Sequence, residues 1–479
     1  MEIQSFQRRL LTAVAVLVSL TCDTGGATAP IAATPRVAPQ RRASREPESS
    51  TSARKPKGIY AVVVLEETRG AGTADFDVLV KNPAVSGLAV RVFWSALQPE
   101  KERYDFSRLD AAFASAEAAH KTVQLILVPG FGTPAWVLSE ISSCDDQLPA
   151  LTDTGGRAGD ARGGRAAGAR GGRTGGRAGR GAAAGGGSTS ASGGGATCGK
   201  ASFDVSEGRG RGQSQELPLP WNPVYKSYWK AFLTEVASRL GPRDAFASIA
   251  VAGPTAQSVE IILPRAGEQL ERWGQLLQMS YRDPSYHRSD KAFLEEWDAA
   301  VTVYGQVFHN VTIVLTRGSG LLDFTKGQGS EAQASITSSF AGHAVGSNAK
   351  ATQTSGLKAC RETEGGIKGV KEMSSSGPVL GGAQFDTSFS QKPAAEGCPA
   401  SCDAQSAACL STTPAQALSN VLSVYFDDTP DGGQYGASKG PARMNYMQIY
   451  EKDILYANTQ PAVQAVLLQA SQRLLAQAR

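Results

Sequence analysis

Three carboxyl side chains stand just beyond apolar, strand-like runs in this sequence: Glu260, Asp386 and Glu451. Two carboxyl groups held about 5–5.5 Å apart can cleave a glycosidic bond with retention, one as acid and then base, the other as nucleophile. Arg91 is a single charge inside an apolar run, and such a charge needs a partner if it faces an interior. Trp94 and Trp136 lie at or just past strand-like ends, where an indole face can stack on the apolar C–H face of a sugar ring. Gln384 and Tyr450 close two further runs, and Asn222 precedes a long helical pattern that places it at the same mouth. Other chemistries lack their residues. There is no G-x-S-x-G for a serine esterase and no G-x-x-x-x-G-K-[ST] for phosphate binding. Cys398, Cys402 and Cys409 have no nearby His and no zinc-module spacing, so no metal and no cofactor is expected.

These residues need a scaffold that brings strand ends together. After residue 57 eight strand-like runs alternate with helical patterns: 58–65, 87–94, 122–128, 247–253, 310–316, 349–355, 379–386 and 444–450. Most are apolar on both faces, as suits strands covered on both sides in a parallel sheet; the sixth is polar. Helical spacing runs through 106–120, 225–240, 293–308, 413–424 and 461–478, with Gly241-Pro242 stopping the second and Pro461 opening the last. Eight β-then-α units predict an α/β fold, a (β/α)8 barrel. An open doubly wound sheet is disfavoured because no glycine-rich phosphate turn follows the first run.

The chain has 479 residues, 41% hydrophobic and 19% charged, enough for a sizeable core. Seven Arg against Asp160 give residues 157–180 a charge of +6, so a total of +4 leaves −2 for the rest. The basic character is one tract, not a basic surface. Residues 150–215 form a low-complexity, Gly/Arg-rich insertion after the third strand; 155–197 have no apolar face and are expected to be flexible. The Arg-Gly content is similar to that of RNA-binding tails, but in an exported chain no nucleic-acid partner is expected. Residues 1–27 read as a signal peptide, with Arg8 and Arg9 before an eleven-residue apolar run, too short for a membrane span. Cys22 is a loose match to a lipoprotein site and allows a lipid anchor there. Residues 28–56 read as a disordered linker, leaving 57–479 as the folded domain. The expected location is secreted, periplasmic or cell-surface. Without Cys22 six cysteines remain, an even number that favours disulfides, and Cys144 and Cys198 bracket the insertion.

The stretch from Trp94 through Gln98-Pro99-Glu100 and Tyr104-Asp105-Phe106, with Thr133-Pro134-Ala135-Trp136 after it, resembles the second and third βα units of clan A retaining glycoside hydrolases, particularly family 42-type β-galactosidases. The resemblance implies a carbohydrate substrate, carboxyls after strands four and seven, and an Arg on strand two that supports the nucleophile. It assigns Glu260 as acid/base and Asp386 as nucleophile, with Glu451 as a third carboxyl. Two departures stand out. Val259 precedes Glu260 where the family commonly has Asn, and strand seven ends with Gln384 and Asp386 rather than Glu. Gln cannot form a glycosyl ester. The sequence therefore supports hydrolysis of O-glycosidic bonds or, alternatively, an exported glycan-binding barrel that has lost its nucleophile.

Overall fold

Each apolar run finds a parallel neighbour on both sides. The computed structural model describes residues 54–65, 76–148, 198–205, 212–265, 267–317, 321–322, 324, 329–343, 348–359, 380–397, 406–426 and 444–477. In chain order the strands are β1 (Gly58–Val64), β2 (Val85–Phe93), β3 (Thr122–Val128), β4 (Lys200–Asp204), β5 (Ser214–Pro218), β6 (Phe246–Ala250), β7 (Thr312–Arg317), β8 (Lys350–Leu357), β9 (Leu380–Phe385) and β10 (Tyr446–Tyr450). Eight of them close a parallel barrel, β1-β2-β3-β6-β7-β8-β9-β10, with β10 pairing back onto β1. Helices Phe76–Lys81, Ser107–Ala118, Pro223–Leu240, Glu268–Ser280, Lys291–Val307, Gly329–Gly342, Pro414–Phe426 and Pro461–Gln477 come between or after the barrel strands, two of them after β6 and none among the described residues between β8 and β9. The fold is the (β/α)8 barrel that the alternation predicts. No helix among the described residues is long and apolar enough to cross a membrane.

Register decides what fills the barrel. On β10 the alternate residues Tyr446, Gln448 and Tyr450 share one face, because strand side chains alternate. Gln448 donates to Gln124 on β3 at 2.8 Å and accepts from Gln353 on β8 at 3.0 Å, and Gln353 in turn accepts from the Tyr446 hydroxyl at 3.0 Å. These bonds cross the lumen, so that face points inward. All three glutamines are buried. A buried amide without partners is costly; here Gln448 and Gln353 are engaged through both oxygen and nitrogen, while Gln124 accepts through Oε1 and its Nε2 is left without a partner. The same network accounts for the glutamine of the polar sixth run: β8 turns Gln353 into the lumen, where it is hydrogen-bonded, while its buried neighbours Thr352 and Thr354 face the other side. Below the glutamines, the rings of Tyr60 and Tyr446 meet edge to face with centroids 6.0 Å apart. Gly382 makes room for them, since a Cβ there would lie 2.1 Å from Tyr446 Cζ.

Two boundaries differ from the sequence reading. Arg54, placed in the linker, bridges Val311 and is ion-paired with Asp244, so residues 54–56 belong to the folded body. Residues 200–204 and 214–215, placed in the low-complexity insertion, form the antiparallel β4–β5 hairpin instead. Its ASF and ELP segments alternate apolar and polar, and Phe203 stacks on Trp273 with centroids 4.5 Å apart. Cys144 and Cys198 form the disulfide at its base. Beside it the Asp145 carboxylate accepts from Ser202 N at 3.0 Å, from Ser202 Oγ at 2.7 Å and from the buried Arg272 guanidinium. Burial works against the Asp145 charge, but these donors outweigh it and hold the carboxyl below its usual range. The signal peptide, Cys22, most of the linker and residues 155–197 lie outside the described residues.

Gly382→Ala drives a methyl into the Tyr446 ring and is expected to lower the unfolding free energy by about 1–3 kcal/mol. Gly342→Ala, with nothing within 4 Å of the added carbon, should be nearly neutral. Denaturant unfolding of the two variants checks this.

Candidate functional site

The site lies where the barrel strands end. Tyr450, the last residue of β10, points into the mouth as Gln448 does one layer below. Its hydroxyl accepts from Gln384 Nε2 at 3.3 Å and donates to the Asp386 carbonyl at 3.3 Å. Burial raises its pKa above the ordinary phenol value. The Gln384 hydrogen bond and the Arg91 charge pull it down, and the Glu260 and Asp386 charges push it up. Tyr450 therefore keeps its proton through neutral pH and is a donor. The same interactions show which groups gather there: Arg91 from β2, Glu260 from the loop after β6, and Gln384 and Asp386 from β9.

The loop 251–264 carries Glu260 and is fixed from several sides. Thr255 Oγ1 donates to the Glu260 carbonyl at 2.7 Å, and Ile262 N donates to the same oxygen at 2.7 Å. Glu260 N donates to Ser258 Oγ at 3.1 Å. Phe131 N, past the end of β3, donates to the Ala256 carbonyl at 2.8 Å. Gly130 beside it has φ +67°, and a Cβ there would meet Ala256 O at 2.3 Å, so only glycine allows the approach. Arg91 completes the clasp by donating from Nη2 to the Gln257 carbonyl. Arg91, expected to support the nucleophile, thus makes this bond to the backbone of the loop that holds Glu260.

Asp386 is exposed, with its Oδ2 3.6 Å from Lys358 Nζ. Lys358 follows β8, and its only sequence signal was a cation just past a polar run. The loop after Asp386 is anchored by Asp453, which is fully buried. Its carboxylate accepts from Ser388 Oγ (2.6 Å), Ser390 Oγ (2.5 Å), Ser390 N (2.9 Å) and Phe389 N (3.2 Å). Burial raises the Asp453 pKa, although these four bonds pull it down. Sequence reasoning missed it because it lies inside the helix Glu451–Thr459, two residues beyond the candidate it did single out. Glu451 itself is half-buried and opens that helix, where a carboxylate complements the first-turn dipoles.

Three expected binding residues have structural work to do. Trp94 begins the short helix Trp94–Leu97 and is completely buried, between Trp229 and Phe232, with Nε1 donating to Gln98 Oε1 at 2.9 Å. It presents no face to a sugar. Trp136 is half-buried, edge-on to Trp94 and to Tyr228, with Nε1 donating to the Gln98 carbonyl at 3.2 Å. Asn222 is the N-cap of helix Pro223–Leu240, its Oδ1 accepting from Tyr225 N at 3.0 Å. Short side-chain acceptors before a Pro at the first helical position do this well.

No protein-family model matches the chain, and neither does any curated protein. Its structure is similar to that of a β-galactosidase from Rahnella sp. R3, at 12% identity and TM-score 0.44, over 89% of this chain and 57% of that one. It is also similar to a glycosylated endo-β-1,4-xylanase of glycoside hydrolase family 10 from Gloeophyllum trabeum, at 10% identity and TM-score 0.41, over 88% of this chain and 99% of that one. Xylanase B from Clostridium stercorarium F9 is a third, at 9% identity and TM-score 0.36, over 82% and 85%. The chain thus spans little more than half the length of the first of these. At such identities the barrel itself rests on its own strand order, and activity must be argued from the mouth.

Replacing Asp453 by Asn turns an acceptor-only group into one with N–H donors facing four donors. Asp453→Asn is expected to cost about 1–3 kcal/mol. Hydrogen exchange at the Phe389 and Ser390 amides should quicken, while the Gln448 amide in the barrel wall stays protected; proton-exchange NMR reads both.

Proposed function

We propose that the chain hydrolyses O-glycosidic bonds of an oligosaccharide or polysaccharide. The observation that carries this reading is Tyr450: one buried, protonated hydroxyl that senses both the Glu260 and the Asp386 charge. Two carboxyls whose charges act on one buried hydroxyl, Glu260 from the loop after β6 and Asp386 just past β9, are the kind of pair this reaction needs. In the proposed sequence Glu260 protonates the glycosidic oxygen as the C1–O bond breaks, and the bond pair leaves with that oxygen. An Asp386 oxygen forms the bond to C1. Glu260 then takes a proton from water, the water oxygen bonds to C1, and the C1–Asp386 bond breaks to return the free carboxylate. Tyr450 donates its one hydroxyl proton to the Asp386 carbonyl and so holds that backbone beside the site. Lys358 stands beside the Asp386 carboxylate as its counter-charge. Disulfides suit an exported protein, and Cys144–Cys198 supports placing this activity outside the cytoplasm.

A second reading has its own support. Asp386 is 43% exposed and already paired with Lys358, and Gln384 stands deeper in the mouth than any carboxyl on β9. A barrel so arranged can hold a glycan without cleaving it.

Nitrophenyl β-glycosides and β-linked oligosaccharides separate the two. Hydrolysis should fall by about 10²–10⁴ in kcat for Glu260→Gln on unactivated substrates, the range general acid–base catalysis supplies. Asp386→Asn should abolish turnover on both substrate types. Glycan binding with no turnover by the wild-type protein would establish the second reading.

A further inference from the structure

Trp94 is buried against Trp229 and Phe232 of helix Pro223–Leu240, so it carries no sugar. The residue before it, Phe93, ends β2 and lies on the opposite side of the barrel wall. Register shows this. Gln124 of β3 bonds across the lumen to Gln448, and side chains alternate along a strand, so Gln124, Ile126 and Val128 face inward. Arg91 pairs with Ile126 and Phe93 with Val128 in the parallel register, so both face inward as well. Lower on the same face of β2, a Cβ on Gly87 would lie 2.6 Å from the ring of Tyr60, which is itself in the lumen. At the upper end the Arg91 charge acts on Tyr450. This face of β2 therefore looks onto the candidate site, and Phe93 is its last side chain.

Phe93 is half-buried, and its ring is seated rather than loose. The turn Gly130–Gly132 packs on it: a Cβ on Gly132 would lie 3.0 Å from Phe93 Cγ and 3.1 Å from Cδ1. The same turn donates from Phe131 N to the Ala256 carbonyl, in the loop that carries Glu260. One turn thus sets the position of both the ring and the Glu260 loop. The chemistry around the ring is polar. Arg91, Gln384, Glu260 and Asp386 suit the hydroxyls of a sugar, but none of them suits the C–H face of its ring. An aromatic side chain at a fixed place among polar groups supplies that second surface.

We propose that Phe93 is the stacking residue of the mouth and carries a pyranose ring of a β-linked oligosaccharide on its aromatic face. The proposal rests on the reading of the mouth as a glycan site and names the side chain that binds the ring there. Titration calorimetry of the full chain carrying Glu260→Gln, so that bound sugar is not consumed, tests it with cellotetraose, xylotetraose and β-1,4-galactotetraose. Saturable binding of at least one of them is expected. Adding Phe93→Ala should weaken it about tenfold or more, and Phe93→Tyr, which keeps the flat face, should hold it within about twofold. Phe93→Leu keeps apolar bulk without that face and should behave as the alanine variant does, with the melting temperature showing each variant folded. Affinity unchanged in Phe93→Ala, or equal in Phe93→Leu and Phe93→Tyr, would overturn the proposal and leave the glycan site standing. Binding of none of the three sugars by the parent chain would overturn both.

Discussion

The alternation of side chains along β10 is the constraint on which the rest depends. Tyr446, Gln448 and Tyr450 all face the lumen, where the first closes one end, the second bridges the middle and the third furnishes the mouth. A slip of one residue would turn all three outward against the helices. The cross-lumen bonds of Gln448 to Gln124 and Gln353 make that slip expensive, because three buried amides would lose partners together. The position of Tyr450 beside Gln384 and Asp386 follows from that register.

The mouth is built by loops that a closed barrel can vary without disturbing its core. Here the loop after β6 is not left to drift. Arg91 and the Gly130 turn fasten it to β2 and β3, and Thr255 and Ser258 brace it from within, so fixing where Glu260 emerges. On the opposite rim Asp453 fastens the loop after Asp386. The loops that carry both carboxyls of the proposed reaction are thus fastened by polar groups at least partly buried, the fixing that a preorganised site requires. Away from the mouth, the Cys144–Cys198 disulfide and the Asp145–Arg272 pair hold the β4–β5 hairpin against the barrel. Joining cysteines 54 residues apart stabilises such a structure by about 4 kcal/mol in a chain-entropy account.

The strands were legible because fully buried parallel strands are runs of apolar residues, and the helices because their apolar positions recur every three or four residues. GIYAVVVL and TVQLILV could hardly be anything else. The bracketing cysteines likewise pointed to their bridge. The hairpin was hidden because its two short strands flank a glycine-rich tract and carry only two or three apolar residues each. Trp94 misled because an aromatic residue at a strand end has the same sequence signature whether it faces a ligand or the space under a helix. Asn222 caps a helix, a role its sequence signature shares with a ligand-binding amide because both use the same atoms.

The sequence by itself determined that this chain makes a barrel of eight parallel strands, because hydrophobic periodicity is a local property written along the chain. It also determined that Asp386, Gln384 and Tyr450 lie at or beside strand ends and that Glu260 follows a strand further on. Only the tertiary structure decided which of them meet. It set Arg91 on a backbone carbonyl, brought Lys358 to Asp386 and Asp453 to the serines beyond it, and buried Trp94. Those outcomes depend on the angle at which each strand and loop enters the closed ring, a geometry that no single segment encodes.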